Sequence, residues 1–418
     1  MFGLIDADSF YVNCQLVFRP DLRGKPAIVL SNNDGCCVAA NRAAKAVGVK
    51  KFGPYFEQQH LCRRHHVQVF SSNYELFADL SSKMMQVIGR FAPEQYVYSI
   101  DESFVSFQKC QAAIPNLWLH CRAIRRAVWR ECRLPVCVGV GETLTLAKLA
   151  NHAAKQLVQY QGVCVIDNDA LRIEILKLMP VDEVWGIGRK LTAKLGLLGI
   201  NTAFDLAQLA PKMARQLFSI EVERTVRELN GQICKTWDET KADKQQIFST
   251  RSLGERITTR DHLQQALAKH AAIAAAKARE QGSLCKTMVV FAANSPHDPQ
   301  PVYFKKVVQF VCATDDSREL CAAVSRELSN LYRPGVRYYR VGVGLLELCR
   351  KTLQQYDLFN TPKSDPKLMQ VFDEINQRYG RDALFIAAQG SDQHWVMRRE
   401  FLSPQYTTRW SDIPTVKA

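Results

Sequence analysis

Two acidic clusters interrupt segments of this 418-residue chain that otherwise read as buried strands, and they constrain the fold more than any other feature. Asp6 closes the apolar run Leu4-Ile5 and is followed by Asp8 and the aromatic pair Phe10-Tyr11. Asp101 and Glu102 lie between two strand-like runs, Gln95 to Ile100 and Ser103 to Phe107. Acids at strand ends can converge at one edge of a sheet, where their repulsion is tolerable only if cations sit between them. Hard oxygen ligands of this kind suit Mg²⁺, which shares its shell with water and substrate phosphates. Two such ions about 3.5–4 Å apart can activate an attacking hydroxyl and stabilise a leaving oxygen in phosphoryl transfer. Taken singly, Asp101-Glu102 also suits a solvated hairpin turn and Asp6 a helix cap. Taken together those readings weaken, because both acidic clusters break strongly apolar segments.

The pattern around the acids indicates an α+β multidomain chain. Up to about residue 165, short β-branched runs (Leu4 to Ala7, Ala27 to Leu30, Val67 to Phe70, Val136 to Val140, Val163 to Ile166) alternate with helical stretches. The helices are Arg42 to Val47, Tyr74 to Phe91, Leu117 to Cys132 and Leu144 to Leu157. Residues 170–237 lose strand character and read as short helices punctuated by glycines. A polar link, Asp238 to Lys244, precedes a βαββαβ succession over residues 243–350, an order shared with ferredoxin-like domains. Residues 351–418 read as a mixed, polar tail.

Charge narrows the partner class. Lys and Arg number 55 against 41 Asp and Glu, a net +14 that suggests a polyanion, with nucleic acid ahead of an anionic membrane surface. Residues 243–350 alone hold 16 basic against 10 acidic residues. Val184-Trp185-Gly186-Ile187-Gly188-Arg189-Lys190 has the look of a helix-hairpin-helix, whose turn aims backbone N–H groups at a phosphate. Arg122, Arg126 and Arg130 recur at one helix face; the stripe could serve DNA, but reads first as solvated surface. Hydrophobic content of 47 % excludes a disordered chain, and no run approaches the ~20 apolar residues of a membrane span. The acidic N-terminus is unlike a signal peptide, so a cytoplasmic protein with no membrane partner is expected. The 14 cysteines form no CxxC pair and no zinc-type spacing, so neither structural zinc nor disulfides are expected.

Several motifs in order resemble the Y-family translesion DNA polymerases. They are Asp6-Ala7-Asp8-Ser9-Phe10-Tyr11, Ser99-Ile100-Asp101-Glu102 and Leu146-Ala147-Lys148-Leu149-Ala150-Asn151-His152-Ala153-Ala154-Lys155. Leu30-Ser31-Asn32-Asn33-Asp34-Gly35-Cys36 and Ser71-Ser72-Asn73-Tyr74-Glu75-Leu76 are similar to the UmuC branch, and the similarity runs from end to end. The resemblance implies a right-hand polymerase. Its ferredoxin-like palm (1–169) carries fingers inserted at about 20–70, followed by a helical thumb (170–237), a βαββαβ little finger (243–350) and a C-terminal, partner-binding tail (351–418).

The same resemblance implies the site. Asp6, Asp101 and Glu102 would be the catalytic acids and, with the Ala7 carbonyl, would hold two Mg²⁺ ions. Tyr11 would be the steric gate that refuses ribonucleotides. Lys45 and Lys155 would contact the incoming triphosphate, joined by Arg42 where many members carry a tyrosine. Gly186, Gly188, Arg189 and Lys190 would hold the DNA backbone. Thr143-Leu144 stands where a lysine commonly precedes the Leu-Ala-Lys run. Gln355, Leu358 and Phe359 resemble the short peptide by which bacterial polymerases dock on the sliding clamp; as an alternative, Leu358 and Phe359 would pack on the preceding domain. The implied function is error-prone translesion synthesis on primer–template DNA with deoxynucleotides in the SOS response, with UmuD′-like subunits, RecA recombinase and the clamp as partners. A non-catalytic DNA-binding scaffold and a palm-domain nucleotidyl cyclase are the competing classes. Three intact acids argue against the first, and the hairpin and the basic domain argue against the second.

Overall fold

The computed structural model describes residues 1–415 apart from 111, 238–242, 355–358, 362, 381 and 392–394. It divides into two compact units, Met1–Ser31 with Gly35–Thr240 and Phe401–Ala418, and Asn32–Asp34 with Lys241–Glu400.

The first unit opens with β1 (Phe2–Ala7), α1 (Phe10–Phe18), β2 (Ala27–Leu30), β3 (Cys37–Ala40), α2 (Arg42–Ala46), α3 (Tyr55–Arg64) and β4 (Gln68–Phe70). It continues through α4 (Tyr74–Gly89), β5 (Glu94–Val97), β6 (Glu102–Ser106), α5 (Leu117–Cys132), β7 (Val136–Gly141), α6 (Leu144–Gln156) and β8 (Val163–Val165). Five of these strands form one sheet in the order β5-β6-β1-β7-β8. Apart from the added β8, that is the ferredoxin-like pairing, with the first strand at the centre between the third and fourth. Strand alternation sends Ile5 and Leu4 to opposite faces. Ile5, Val105 and Val138 meet Phe77, Met84 and Ile88 of α4 and Ile124 and Val128 of α5. Leu4 and Phe104 meet Leu144 and Ala147 of α6.

Gly139 lets α6 lie directly on β7, since a Cβ there would stand 2.0 Å from the Asn151 backbone nitrogen. The buried Asn151 amide then donates to the Leu4 and Cys137 carbonyls, at 3.1 and 2.9 Å, and fixes the helix over β1 and β7. A separate three-stranded sheet, β3-β2-β4, has its own small core of Ile28, Leu30, Ala44 and Cys62. Five helices follow: α7 (Asp169–Leu178), α8 (Arg189–Leu197), α9 (Ala203–Ala207), α10 (Pro211–Leu217) and α11 (Ile220–Leu229). Their core of Ile175, Leu195, Leu206 and Val226 packs against Leu149 and Ala153 of α6.

The second unit contains β9 (Ile247–Ile257), α12 (Arg260–Gln281), β10 (Ser283–Ala293), β11 (Tyr303–Thr314), α13 (Ser317–Leu331), β12 (Tyr338–Arg350) and α14 (Pro366–Tyr379). The βαββαβ order is the one the sequence suggests, but the pairing is not ferredoxin-like. The sheet is wholly antiparallel in the order β11-β10-β12-β9, with the first strand at an edge. Burial explains the difference. All but one residue of β10 is buried, and Val341 to Leu345 of β12 are buried without interruption, whereas β9 alternates with solvent. A strand covered on both faces belongs inside a sheet, and a half-exposed one tolerates the edge.

Four elements escape the sequence patterns: α1, β3, α3 and α14. Helix α1 is too uniformly apolar to show a period, while α3 buries only Gln58 and Cys62 and α14 only Met369. The last residues also find partners. Phe401 exchanges hydrogen bonds with Ser71, and the buried Asn73 amide donates to Ser403 and Pro404. Tyr406 stacks on Phe18 at 4.5 Å. Among the described residues no helix is long and apolar enough to cross a membrane.

Candidate active site

Strand register brings the acids together. Asp6 lies opposite Glu102 in the β1–β6 ladder, and the Ala7 N–H donates to the Asp101 carbonyl at 3.0 Å. The strand expected to reach Ile100 stops at Val97, because the chain turns there: Tyr98 and Ser99 N–H groups both donate to the Glu102 carbonyl. The Ser99 hydroxyl donates to Asp101 at 2.6 Å and completes the turn. The turn is therefore what delivers Asp101 and Glu102 to the end of β1, where they stand half-buried beside Asp6 rather than in a solvated hairpin.

Helix α6 supplies the opposing charge. Lys148 and Lys155 are seven residues apart, two turns, and so share a face. Lys155 reaches Asp6 at 2.6 Å, and Lys148 donates to Glu102 at 3.0 Å. Lys148 is also caged by aromatic rings, 4.4 Å from the Tyr98 centroid and 5.3 Å from Trp185. Burial pushes the Asp6 carboxyl up to about 6 against the pull of Lys155, and Glu102 and Asp101 push in the same direction as burial.

Asp6, Ala7, Asp101 and Glu102 therefore share one place, yet among the described residues no three acidic, His or Cys side chains stand in the geometry of an ion site. Each acid faces a nearer donor instead: Lys155, Ser99 or Lys148. The donor set nonetheless fits hard divalent cations. It consists of oxygens alone, on crowded carboxylates whose mutual repulsion already opposes the ionisation of Asp6.

A cavity of about 590 Å³ opens onto these acids. Tyr11, Arg42, Lys45 and Lys155 line it together with Asp6, Ala7, Asp101 and Glu102. The Tyr11 ring forms part of one wall and packs on Phe77 at 4.7 Å. Lys51 lines the same cavity and was not singled out in the sequence; nor was Lys148 given a role, although its seven-residue spacing from Lys155 was a usable signal. Leu144 accounts for the missing motif lysine. It is 3 % exposed and packed among Phe2, Leu4 and Phe104, where an ammonium would be desolvated.

The hairpin lies at the start of α8. Gly186 adopts φ +93°, a conformation that favours glycine, and Gly188 caps the helix ahead of exposed Arg189 and Lys190. Trp185 turns inward, against Tyr98 and Phe104. At the far end of this helical region the buried Glu228 carboxylate accepts from the Thr145 N–H and hydroxyl and from the Cys234 and Lys235 N–H groups. It thereby ties α11 to the first turn of α6. Of the residues that resemble a clamp-docking peptide, Gln355 and Leu358 lie outside the described residues, whereas Phe359 is 94 % exposed.

The architecture is that of the Y-family DNA polymerases. A chimera of Y-family polymerases superimposes over 84 % of this chain and all of its own length with a TM-score of 0.63 at 20 % identity. DinB from Sulfolobus solfataricus covers 82 % of this chain and 98 % of its own with a TM-score of 0.52 at 21 % identity. Residues 5–152 match the impB/mucB/samB family, residues 244–358 match its C-terminal domain, and residues 366–416 match a domain of unknown function, DUF4113. Over the full length of both chains the sequence is 42 % identical to Protein UmuC of Salmonella typhimurium strain LT2. It is 40 % identical over 99 % of both chains to Protein MucB of Escherichia coli. The chain belongs to the impB/mucB/samB family, the UmuC branch of the Y-family polymerases.

Proposed function

We propose that this DNA-directed DNA polymerase extends a primer 3′-OH opposite damaged template, using two Mg²⁺ ions held by Asp6, Asp101, Glu102 and the Ala7 carbonyl. The observation that carries the reading is the single cavity in which the three acids meet Lys155, Lys45 and Arg42. When bound, the ions would activate the primer hydroxyl and neutralise the leaving oxygen. The protein's own groups do the rest. Lys155, Lys45 and Arg42 hold the triphosphate and offset the charge that grows on departing pyrophosphate. Tyr11 occupies the space a ribose 2′-OH would need. The hairpin at Gly186 and Gly188, with Arg189 and Lys190, grips the DNA backbone without reading sequence, and the basic 243–350 region adds to that grip. In this assignment residues 1–169 are palm and fingers, 170–237 thumb, 243–350 little finger and 351–418 a tail for partners. The setting is the SOS response, with UmuD′-like subunits, RecA and the sliding clamp, the last docked through Gln355, Leu358 and Phe359.

Primer extension with Mg²⁺ tests the reading. Asp101→Asn and Glu102→Gln should each lower extension by about 100-fold or more, because each removes a charge from the metal set. Binding to primer–template DNA should be retained. Near-wild-type extension by both variants overturns the assignment.

A further inference from the structure

We propose that a cationic trough on the outer side of the first unit is the route by which pyrophosphate leaves the catalytic cavity, an inference that rests on the polymerase reading. The cavity over the acids adjoins a second one of about 460 Å³, and the two share Asp8, Arg42, Cys137, Lys155 and Gln156 as lining. The second shares Arg125, Pro135 and Val136 with a third, of about 230 Å³, walled by Arg122, Arg126 and Trp129. Cations thus follow one another outward, from Lys155 and Arg42 through Arg125 to Arg122 and Arg126. Asp8 is the one acid among the residues lining the outer two cavities.

The middle of the row is a built feature. Arg125 donates to the Val136 carbonyl at 2.7 Å and to the Gln161 carbonyl at 2.5 Å, and so is fixed between α5 and the entry to β8. Gly162, at φ +81°, leaves the room: a Cβ there would stand 2.6 Å from the Arg125 guanidinium. Both partners of Arg125 are neutral carbonyls, so its charge remains uncompensated by them. Arg122 is steadied over the Trp118 ring at 4.8 Å, and among the described residues neither it nor Arg126 has an ion pair. The stripe read as solvated surface in the sequence is therefore partly the wall of a cavity contiguous with the site.

Pyrophosphate is the occupant this chemistry favours. It is formed at the Lys155 end, it is compact and multiply anionic, and the cations that stabilise its formation also resist its departure. A run of guanidiniums exchanges one set of charge-assisted contacts for the next. By microscopic reversibility the same row steers added pyrophosphate inward, and steering of this kind depends strongly on ionic strength.

The test uses the full chain, primer–template DNA and the double variant Arg122→Ala with Arg126→Ala, neither residue being part of the proposed catalytic set. At low salt kcat/KM for pyrophosphorolysis should fall about 10-fold and lose part of its salt dependence, Lys155, Arg42 and Arg125 remaining in the row. The rate at saturating pyrophosphate, single-turnover incorporation at saturating deoxynucleotide and primer–template affinity should stay as in the wild type. Arg122→Lys with Arg126→Lys should recover most of the loss. Unchanged kcat/KM and salt slope in the alanine variant overturn the proposal. A parallel loss of primer–template affinity overturns it too, by making the surface a DNA contact. So does an equal fall in kcat/KM for deoxynucleotide, which would mark nucleotide entry. A wild-type chain that does not extend primers even with the UmuD′-like subunits and RecA supplied refutes the polymerase reading instead. In that case calorimetric titration with inorganic pyrophosphate still decides whether the trough binds it: weaker binding by the alanine variant supports the trough and equal binding removes it.

Discussion

Protonation of His270 should loosen the second unit in mildly acidic buffer. His270 is 5 % exposed on α12, with the Ser249 hydroxyl 2.8 Å from its Nδ1. Burial lowers its pKa from 6.5 to about 4, helped by the positive charges of Arg251 on β9 and of Lys269 and Lys277 on α12. The folded unit therefore holds the imidazole neutral, while an opened chain takes up a proton near 6.5. Stability is fully present above that value and falls as the pH drops from 6.5 toward 4, because opening then binds a proton. The whole gap corresponds to about 3 kcal/mol, of which about 2 kcal/mol is lost between pH 7 and 5. Hydrogen exchange of α12 amides, corrected for the intrinsic pH dependence of exchange, measures it directly as an opening free energy. The His270→Asn variant should begin less stable at pH 7 and show a flatter pH profile over the same range. An opening free energy that is flat from pH 7 to 5 in the wild type, or equally steep in the variant, refutes the reasoning.

Substitutions at two further positions probe the polymerase reading. Tyr11→Ala should lower discrimination against ribonucleotides by about 10-fold or more, while Tyr11→Phe, which keeps the ring against Phe77, should not; equal discrimination in all three proteins, measured as a ratio of kcat/KM values, would place the gate elsewhere. Phe359→Ala should leave the melting temperature and clamp-free extension unchanged, because the side chain is exposed, yet weaken clamp binding about 10-fold or more as a buried phenyl group is lost. A lower melting temperature with unchanged clamp affinity would return Phe359 to a packing role.

The acidic centre was legible because its carboxylates interrupt runs that are otherwise buried. β1 and β6 are covered on both faces almost throughout, so Asp6 and Glu102 stand out at the strand ends, and the pairing of the two strands sets them opposite each other. The little-finger pairing was not legible from element order, because βαββαβ permits more than one strand order. What decides it is which strands are apolar on both faces, and β10 and β12 are those strands. The exposed and uniformly apolar helices were missed for the same reason in opposite forms: α3 buries too little and α1 too evenly to leave a period of 3.6.

The packing around Leu144 shows how the start of α6 is fixed without the motif lysine. Thr143 caps α6 by accepting from the Leu146 N–H, and its hydroxyl donates to the Glu228 carbonyl, so the start of the helix is fixed without a lysine. Leu144 then enters the apolar cluster with Phe2, Leu4 and Phe104, on the sheet face that α6 covers. From that fixed start, helical period alone carries Lys148 to Glu102 and Lys155 to Asp6. A lysine at 144 would lie one turn before Lys148, in a place that apolar packing has already filled. The charge facing the carboxylates is thus set by the anchoring of α6, through Gly139, Asn151 and Glu228, more than by the number of basic residues in the motif.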